Sequence, residues 1–185
     1  MPHKTFLQGL TLAFATDSLF QRGIVPGILR SAGATRVNTP RTDDELADLL
    51  AAGVVDVVIV DSDFEGATGL EIVRSIRQST SSDVAFLPII YLMANPTRNG
   101  VIDAAQAGVH EIVTKPYSAR SLLDRLYWPV RFPRQFIRSD TYFGPAPRTV
   151  LHQSRELPQV VESRAVLFDL DDVEEADDQS LPMVM

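Results

Sequence analysis

Three apolar runs in this chain end on charge. Leu10-Thr11-Leu12-Ala13-Phe14-Ala15 leads through Thr16 into Asp17, Val54 to Val60 leads into Asp61 and Asp63, and His110-Glu111-Ile112-Val113-Thr114 leads into Lys115 and Pro116. Two carboxylates at close range repel, and they persist together when a cation sits between them. Oxygen ligands with one or two carboxylates and no cysteine suit magnesium, which keeps several waters and takes phosphate oxygens as further ligands. A lysine beside them places a positive point charge on another oxygen. A divalent cation and a lysine around one aspartate are the equipment for in-line phosphoryl transfer onto that aspartate, giving an acyl phosphate. Each residue also has a plainer role open to it. Asp61 can be a strand-end acid capping the next helix, Asp17 an N-cap, and Lys115 a surface lysine before a turn.

The elements needed to bring these residues together are legible from apolar spacing. Residues 10–15, 35–37, 54–60, 87–92 and 110–114 read as strands. Helical spacing covers 19–32, where Phe20, Ile24, Ile28 and Leu29 share a face and Pro26 is a flaw. Further helices are expected at 43–52, opened by a Thr42–Glu45 capping box, and at 69–78, from Asn95-Pro96 to about Ala107, and from Ser118 to about Trp128-Pro129. Five strand–helix units in succession predict a doubly wound (βα)5 α/β fold with a parallel sheet, right-handed crossovers and the order 2-1-3-4-5. In such a sheet ligands sit beyond the carboxyl ends of the central strands. Asp17 and Asp61 then face each other on neighbouring strands, and Lys115 approaches from the far side of the fourth.

The bulk composition narrows the function classes. The chain has 185 residues, 45% hydrophobic content and no cysteine, so one ordinary domain with an extension is expected, without disulfides or thiolate metal sites. That fits a reducing cytoplasm. No apolar run reaches the ~18 residues of a membrane span, and no signal peptide is read at the start. The net charge of −7 lies in residues 151–185, which leaves residues 1–150 close to neutral, with no basic stripe for nucleic acid. Residues 130–185 read as a C-terminal extension, first rich in proline, arginine and aromatics, then acidic, partly ordered or disordered. In it Arg131, Arg134, Arg138 and Arg148 read as solvated or partner-facing, and residues 165–170 as either a docking segment or disorder. His3, His110 and His152 are scattered and are not read as ligands.

At this point VVIVDSDFEGATGLEIV and TKPYS resemble the receiver domain of bacterial two-component response regulators, over residues 10–128. In that family a glycine follows the phosphoacceptor eight positions on, as Gly69 follows Asp61; Gly66 stands five on. The resemblance implies a flavodoxin-like receiver over residues 1–129 and phosphorylation at Asp61. It implies magnesium held by Asp17, Asp61 and the backbone carbonyl of Asp63, a phosphoryl contact from Lys115, and a cis bond at Lys115–Pro116. Three residues depart from the family: Thr16 replaces the first acid of the first-strand pair, Met93 replaces the switch Ser or Thr, and Ile112 replaces the switch aromatic. A thioether cannot donate the bond that a hydroxyl would. The stretch RQFIRSDTYFGPAPR resembles an extension on certain stand-alone receivers of alphaproteobacteria.

The resemblance implies a cytoplasmic, single-domain response regulator, not an enzyme. A histidine kinase or histidine phosphotransfer protein would be the phosphodonor; a downstream protein target and a homodimer are the other partners, with neither nucleic acid nor membrane among them. A phosphorylation-independent interaction module is the rival, motivated by Thr16, Met93 and Ile112. A phosphatase working through an aspartyl phosphate, with Asp63 as general acid, ranks third for want of a cap domain.

Overall fold

The computed structural model describes residues 5–64, 67–146 and 160–161. The five strong apolar runs form β1 (Thr11–Ala15), β2 (Arg36–Asn38), β3 (Val57–Asp61), β6 (Ile89–Met93) and β7 (Glu111–Thr114). They pair in parallel in the order β2-β1-β3-β6-β7, which is the expected doubly wound order. Every residue of β3 and β6 is buried, because helices cover both faces of the sheet.

One face is packed by α1 (Leu19–Ser31) and α6 (Ala119–Arg131), where Phe14, Ile59 and Leu92 meet Leu29, Leu122 and Leu126. The other is packed by α2 (Asp43–Ala51), α3 (Gly69–Arg77) and α5 (Arg98–Ala107), where Val58, Val60 and Ile89 meet Leu50, Val73, Ile76 and Ala104. Full burial of one such side chain contributes about 1.5–3 kcal/mol.

Several boundaries and faces differ from the sequence reading. In α1 the buried residues are Val25, Pro26 and Leu29, and Phe20 and Ile24 point outward. The Ser18 hydroxyl caps the helix by accepting from Gln21 N–H, and Arg22 donates back to the carbonyl of Thr16, just past β1; together these fix the rotation of the helix. Thr97, not Asn95, caps α5: its backbone is extended and its hydroxyl accepts from Gly100 N–H at 3.0 Å. At α2 the Glu45 carboxylate accepts from Arg41 N–H instead of closing the box on Thr42, whereas Thr68 and Glu71 form a complete capping box on α3. α6 runs through Pro129 to Arg131. A short α4 (Ser82–Ala85) and a two-residue pairing of β4 (Asp63–Phe64) with β5 (Ala67–Thr68) went unread in the sequence.

Beyond α6 the chain forms β8 (Phe136–Arg138) and β9 (Phe143–Pro145), antiparallel, with β10 (Val160–Val161) on the other edge of β8. Phe136 is buried against Phe86, Phe143 and His110. Under it lies Arg77, itself buried, donating to the carbonyls of Gly108, Ala85 and Leu87 at 2.7–2.9 Å and stacking on the Phe136 ring at 5.1 Å. Burial pushes its guanidinium down to about 9, so it remains a cation at neutral pH. Arg134 also departs from the solvated reading. It donates to the His110 carbonyl and lies 3.4 Å from the Glu111 carboxylate. Arg138 is exposed and stacks on Phe143 at 4.1 Å. This hairpin therefore closes the amino ends of β6 and β7. Arg148, residues 165–170, His3, His152, Gly66 and the acidic stretch all lie outside the described residues.

Candidate functional site

Register places the charged residues at one end of the sheet. Ala15 pairs with Val60, Asp61 with Leu92, and Met93 with Thr114, so the carboxyl ends of β1, β3, β6 and β7 open on one surface. Asp61 is the last residue of β3 and is 1% exposed. A carboxylate buried to that degree has to be paired and hydrogen-bonded. The Lys115 ammonium contacts its Oδ1 directly. The same oxygen lies 3.3 Å from the donating Asp63 N–H and 3.5 Å from the Ser62 hydroxyl. Oδ2 accepts a hydrogen bond from the buried Thr16 hydroxyl at 2.8 Å.

Lys115 is set by β7, its N–H donating to the Met93 carbonyl, and the bond it makes to Pro116 is cis. Its ammonium also lies 3.9 Å from the exposed carboxylate of Asp63. The two tyrosines near the site are held in the neutral form. Burial and then the Asp61 charge push Tyr117 up to about 12 and raise Tyr91. Tyr117 donates to the Gln21 side chain at 2.8 Å, tying the residues after Lys115 to α1.

Gly69 has a steric reason to be glycine. A Cβ there would stand 2.2 Å from the Asp61 carbonyl oxygen and 2.9 Å from the Tyr91 ring. The first turn of α3 thus lies directly on the backbone of the phosphoacceptor candidate.

The structure brings Asp61, Lys115 and Asp63 together. Asp17 follows Thr16 at the same end of the sheet, and its carboxylate lies 3.9 Å from the Arg22 guanidinium. Arg22 in turn donates from Nε to the Thr16 carbonyl at 2.6 Å. Among the described residues no group of three or more His, Cys, Asp or Glu side chains gathers as a metal cage. The oxygens expected to hold magnesium are the Asp61 and Asp17 carboxylates and the Asp63 carbonyl; the structure gathers Asp61 and Asp63 around Lys115 and shows the Asp17 carboxylate beside Arg22. That is a hard, oxygen-only set of few protein ligands, which fits magnesium that keeps much of its water.

Three participants were missed in the sequence: the Thr16 hydroxyl as a donor to Asp61, Arg22 as the partner of Thr16 and Asp17, and Ser62. Thr16 stood out only as a missing acid, and Ser62 lies next to Asp61 in the chain without a pattern to mark it. Met93 is buried and touches the surroundings of Gly100, and Ile112 is half-buried.

Residues 14–127 match the response regulator receiver domain. The chain is similar to the chemotaxis protein CheY-3 of Vibrio cholerae, 31% identical over 121 residues, which are 64% of this chain and 90% of that protein. It is similar to the same degree to the chemotaxis protein CheY of Pseudomonas aeruginosa, 31% over 119 residues, or 63% of this chain and 93% of that one. Among solved structures, CheY4 of Vibrio cholerae superimposes with a TM-score of 0.58 at 26% identity, covering 63% of this chain and 95% of its own. A response regulator structure from Chloroflexus aurantiacus, at 22% identity and a TM-score of 0.59 over 66% of this chain and 98% of that one, shares the fold. This chain belongs to the response regulator receiver domain family.

Proposed function

We propose that the protein is a single-domain response regulator that accepts a phosphoryl group on Asp61 from a phosphohistidine of a histidine kinase or a histidine phosphotransfer protein. The observation that carries this is the Asp61 carboxylate itself, buried at the carboxyl end of the central strand, with the Lys115 ammonium and the Asp63 N–H on one oxygen and the Thr16 hydroxyl on the other. A bond from one carboxylate oxygen to phosphorus forms as the nitrogen–phosphorus bond of the donor breaks, and the imidazole leaves with the electron pair and takes a proton. The Lys115 ammonium meets the negative charge on the transferred group. Thr16 and the Asp63 N–H fix the plane of the carboxylate for in-line attack. Magnesium, held by Asp17, Asp61 and the Asp63 carbonyl, would supply charge neutralisation at the phosphoryl oxygens.

A protein donor is supported by α1, whose Leu19 and Phe20 are 81% and 76% exposed and whose Ile24 also faces outward beside the site. Exposed apolar side chains gathered on one helix mark protein-contact surfaces. Among the described residues no helix is long and apolar enough to cross a membrane. A cytoplasmic phosphoprotein without turnover of its own is part of the same proposal.

The test is to incubate the purified protein with acetyl phosphate and magnesium and to weigh it. A gain of one phosphoryl group that disappears in Asp61→Ala is expected; an unchanged mass refutes the proposal. The alternative, a receiver acting only by protein contact, is favoured by one observation: both oxygens of Asp61 and the carboxylate of Asp17 already have partners within the chain. It requires partner binding that is indifferent to Asp61→Asn and little response to magnesium.

A further inference from the structure

The receiver family's hydroxyl at the end of the fourth parallel strand is absent here, because Met93 occupies its position. A different hydroxyl stands between Asp61 and the same loop. Ser62 Oγ is 3.5 Å from Asp61 Oδ1 and accepts a hydrogen bond from Ala94 N–H at 3.3 Å. Ala94 is the first residue after β6 and opens the loop to α5. The Ser62 backbone N–H donates to the Leu92 carbonyl at 2.8 Å, so the serine is anchored on β6 from its main chain as well.

A hydroxyl has one proton and two lone pairs. Since Ala94 N–H takes one lone pair, the proton is free to point at Asp61 Oδ1. We propose that Ser62 is the positioning residue that carries the phosphorylation state of Asp61 to the β6–α5 loop, in the role that position 93 has lost. The inference rests on Asp61 being the phosphoacceptor. On phosphorylation the carboxylate oxygens become the bridging oxygen of a mixed anhydride and an acyl carbonyl, both weaker acceptors than a carboxylate, and three strongly accepting phosphoryl oxygens appear just beyond them. The Ser62 proton follows the stronger acceptor. The hydroxyl oxygen moves with it, and the bond from Ala94 N–H stretches, breaks or drags the loop along. Met93 cannot substitute, since its sulfur has no proton to donate and packs toward Gly100.

Ser62 is only half-buried, so its replacement by alanine leaves the core intact. The experiment uses the full chain, labelled with nitrogen-15, under sustained acetyl phosphate and magnesium. Occupancy of Asp61 is read by mass, and the Ala94 amide by its chemical shift. In the parent protein the Ala94 resonance is expected to move as Asp61 fills. In Ser62→Ala the shift change at Ala94, taken per fraction of Asp61 filled as read by mass, falls to less than half. Ser62→Thr, which keeps the hydroxyl, restores it. A full Ala94 response per filled Asp61 in Ser62→Ala, or no recovery of that response in Ser62→Thr, overturns this inference and leaves the phosphoacceptor reading intact. No mass gain in the parent protein overturns both.

Discussion

Gly69→Ala tests the placement of Asp61 most sharply. The added Cβ would lie 2.2 Å from the Asp61 carbonyl oxygen, short of ordinary contact by more than an ångström, with 2.9 Å to the Tyr91 ring. The ring can turn aside, but the carbonyl belongs to the end of a strand paired on both sides. Either β3 shifts at Asp61 or the start of α3 lifts away. Overpacking of this kind costs about 1–3 kcal/mol, and sometimes more. A helix-propensity gain of roughly 1 kcal/mol for alanine works in the opposite direction. The balance is a net loss of up to about 2 kcal/mol, which corresponds to a drop in melting temperature of up to about 4–8 °C for a chain of this size. A backbone shift on the order of 1 Å at the attacking group slows transfer by roughly a hundredfold. Thermal melts read the first effect, and the initial rate of mass gain with acetyl phosphate reads the second. Because the decisive clash is with the main chain, adding Tyr91→Ala does not rescue labelling. A Gly69→Ala protein that melts and labels like the parent would mean that α3 does not lie on Asp61, and the reasoning about this site would fall with it.

Other consequences can be checked in parallel. Thr16→Asp restores a second acid beside Asp61 and tightens magnesium by about tenfold in a calorimetric titration of the unphosphorylated protein; equal affinity would show that position 16 does not act on the metal. Arg77→Met strands the carbonyls of Gly108, Ala85 and Leu87, and about 3 kcal/mol is lost in urea unfolding; an unchanged midpoint would deny Arg77 its bridging role. His110 is fully buried, and burial first, then Arg77 and Arg134, hold it well below the usual imidazole value. The unfolded chain therefore binds a proton near pH 6.5 that the folded one refuses. Stability from the neutral ring is complete above that value and is lost as pH falls below it. Melting temperature should decline from pH 7 to pH 5, and less so in His110→Gln, whose amide oxygen can accept the Ile89 N–H that the imidazole Nδ1 now accepts. Identical slopes would remove His110 as the cause.

The sheet order was legible because β-branched runs at β3 and β6 leave little choice of element, and their burial on both faces follows from continuous apolarity. That Lys115 would meet Asp61 was legible for the related reason that strand ends in a parallel sheet share one surface, whereas the Asp17 carboxylate, expected to face Asp61, lies beside Arg22. What escaped was set by contacts between distant segments. Phe20 and Ile24 share a helical stripe with Leu29, yet they face outward because the Ser18 cap and the reach of Arg22 to Thr16 fix the rotation of α1. The value of Arg77 as an anchor depends on carbonyls 8, 10 and 31 residues away in the chain, and no local pattern announces them. The same holds for Thr16, whose partner lies 45 residues on.

These long-range contacts also divide the molecule into two poles. The chemistry sits at the carboxyl ends of the strands, and the Arg77–His110–Phe136 packing sits at the amino ends of β6 and β7 with the C-terminal hairpin. α5 has one end at each pole. It starts beyond Ala94, the residue that bonds Ser62, and finishes at Gly108, whose left-handed cap lies under β9, where a Cβ would stand 2.9 Å from the Phe143 carbonyl oxygen. Ten helical residues span about 15 Å, and a helix moves as a stiff body. If a displacement of the β6–α5 loop caused at Ser62 carries α5 with it, Gly108 feels it, and Gly108 has little slack: its carbonyl is held by Arg77, and the hairpin backbone leaves no room for a side chain there. If phosphorylation of Asp61 shifts the Ala94 amide, the Gly108 and Phe143 amides should shift with it. Arg77→Met, by loosening the far end, should separate the two responses.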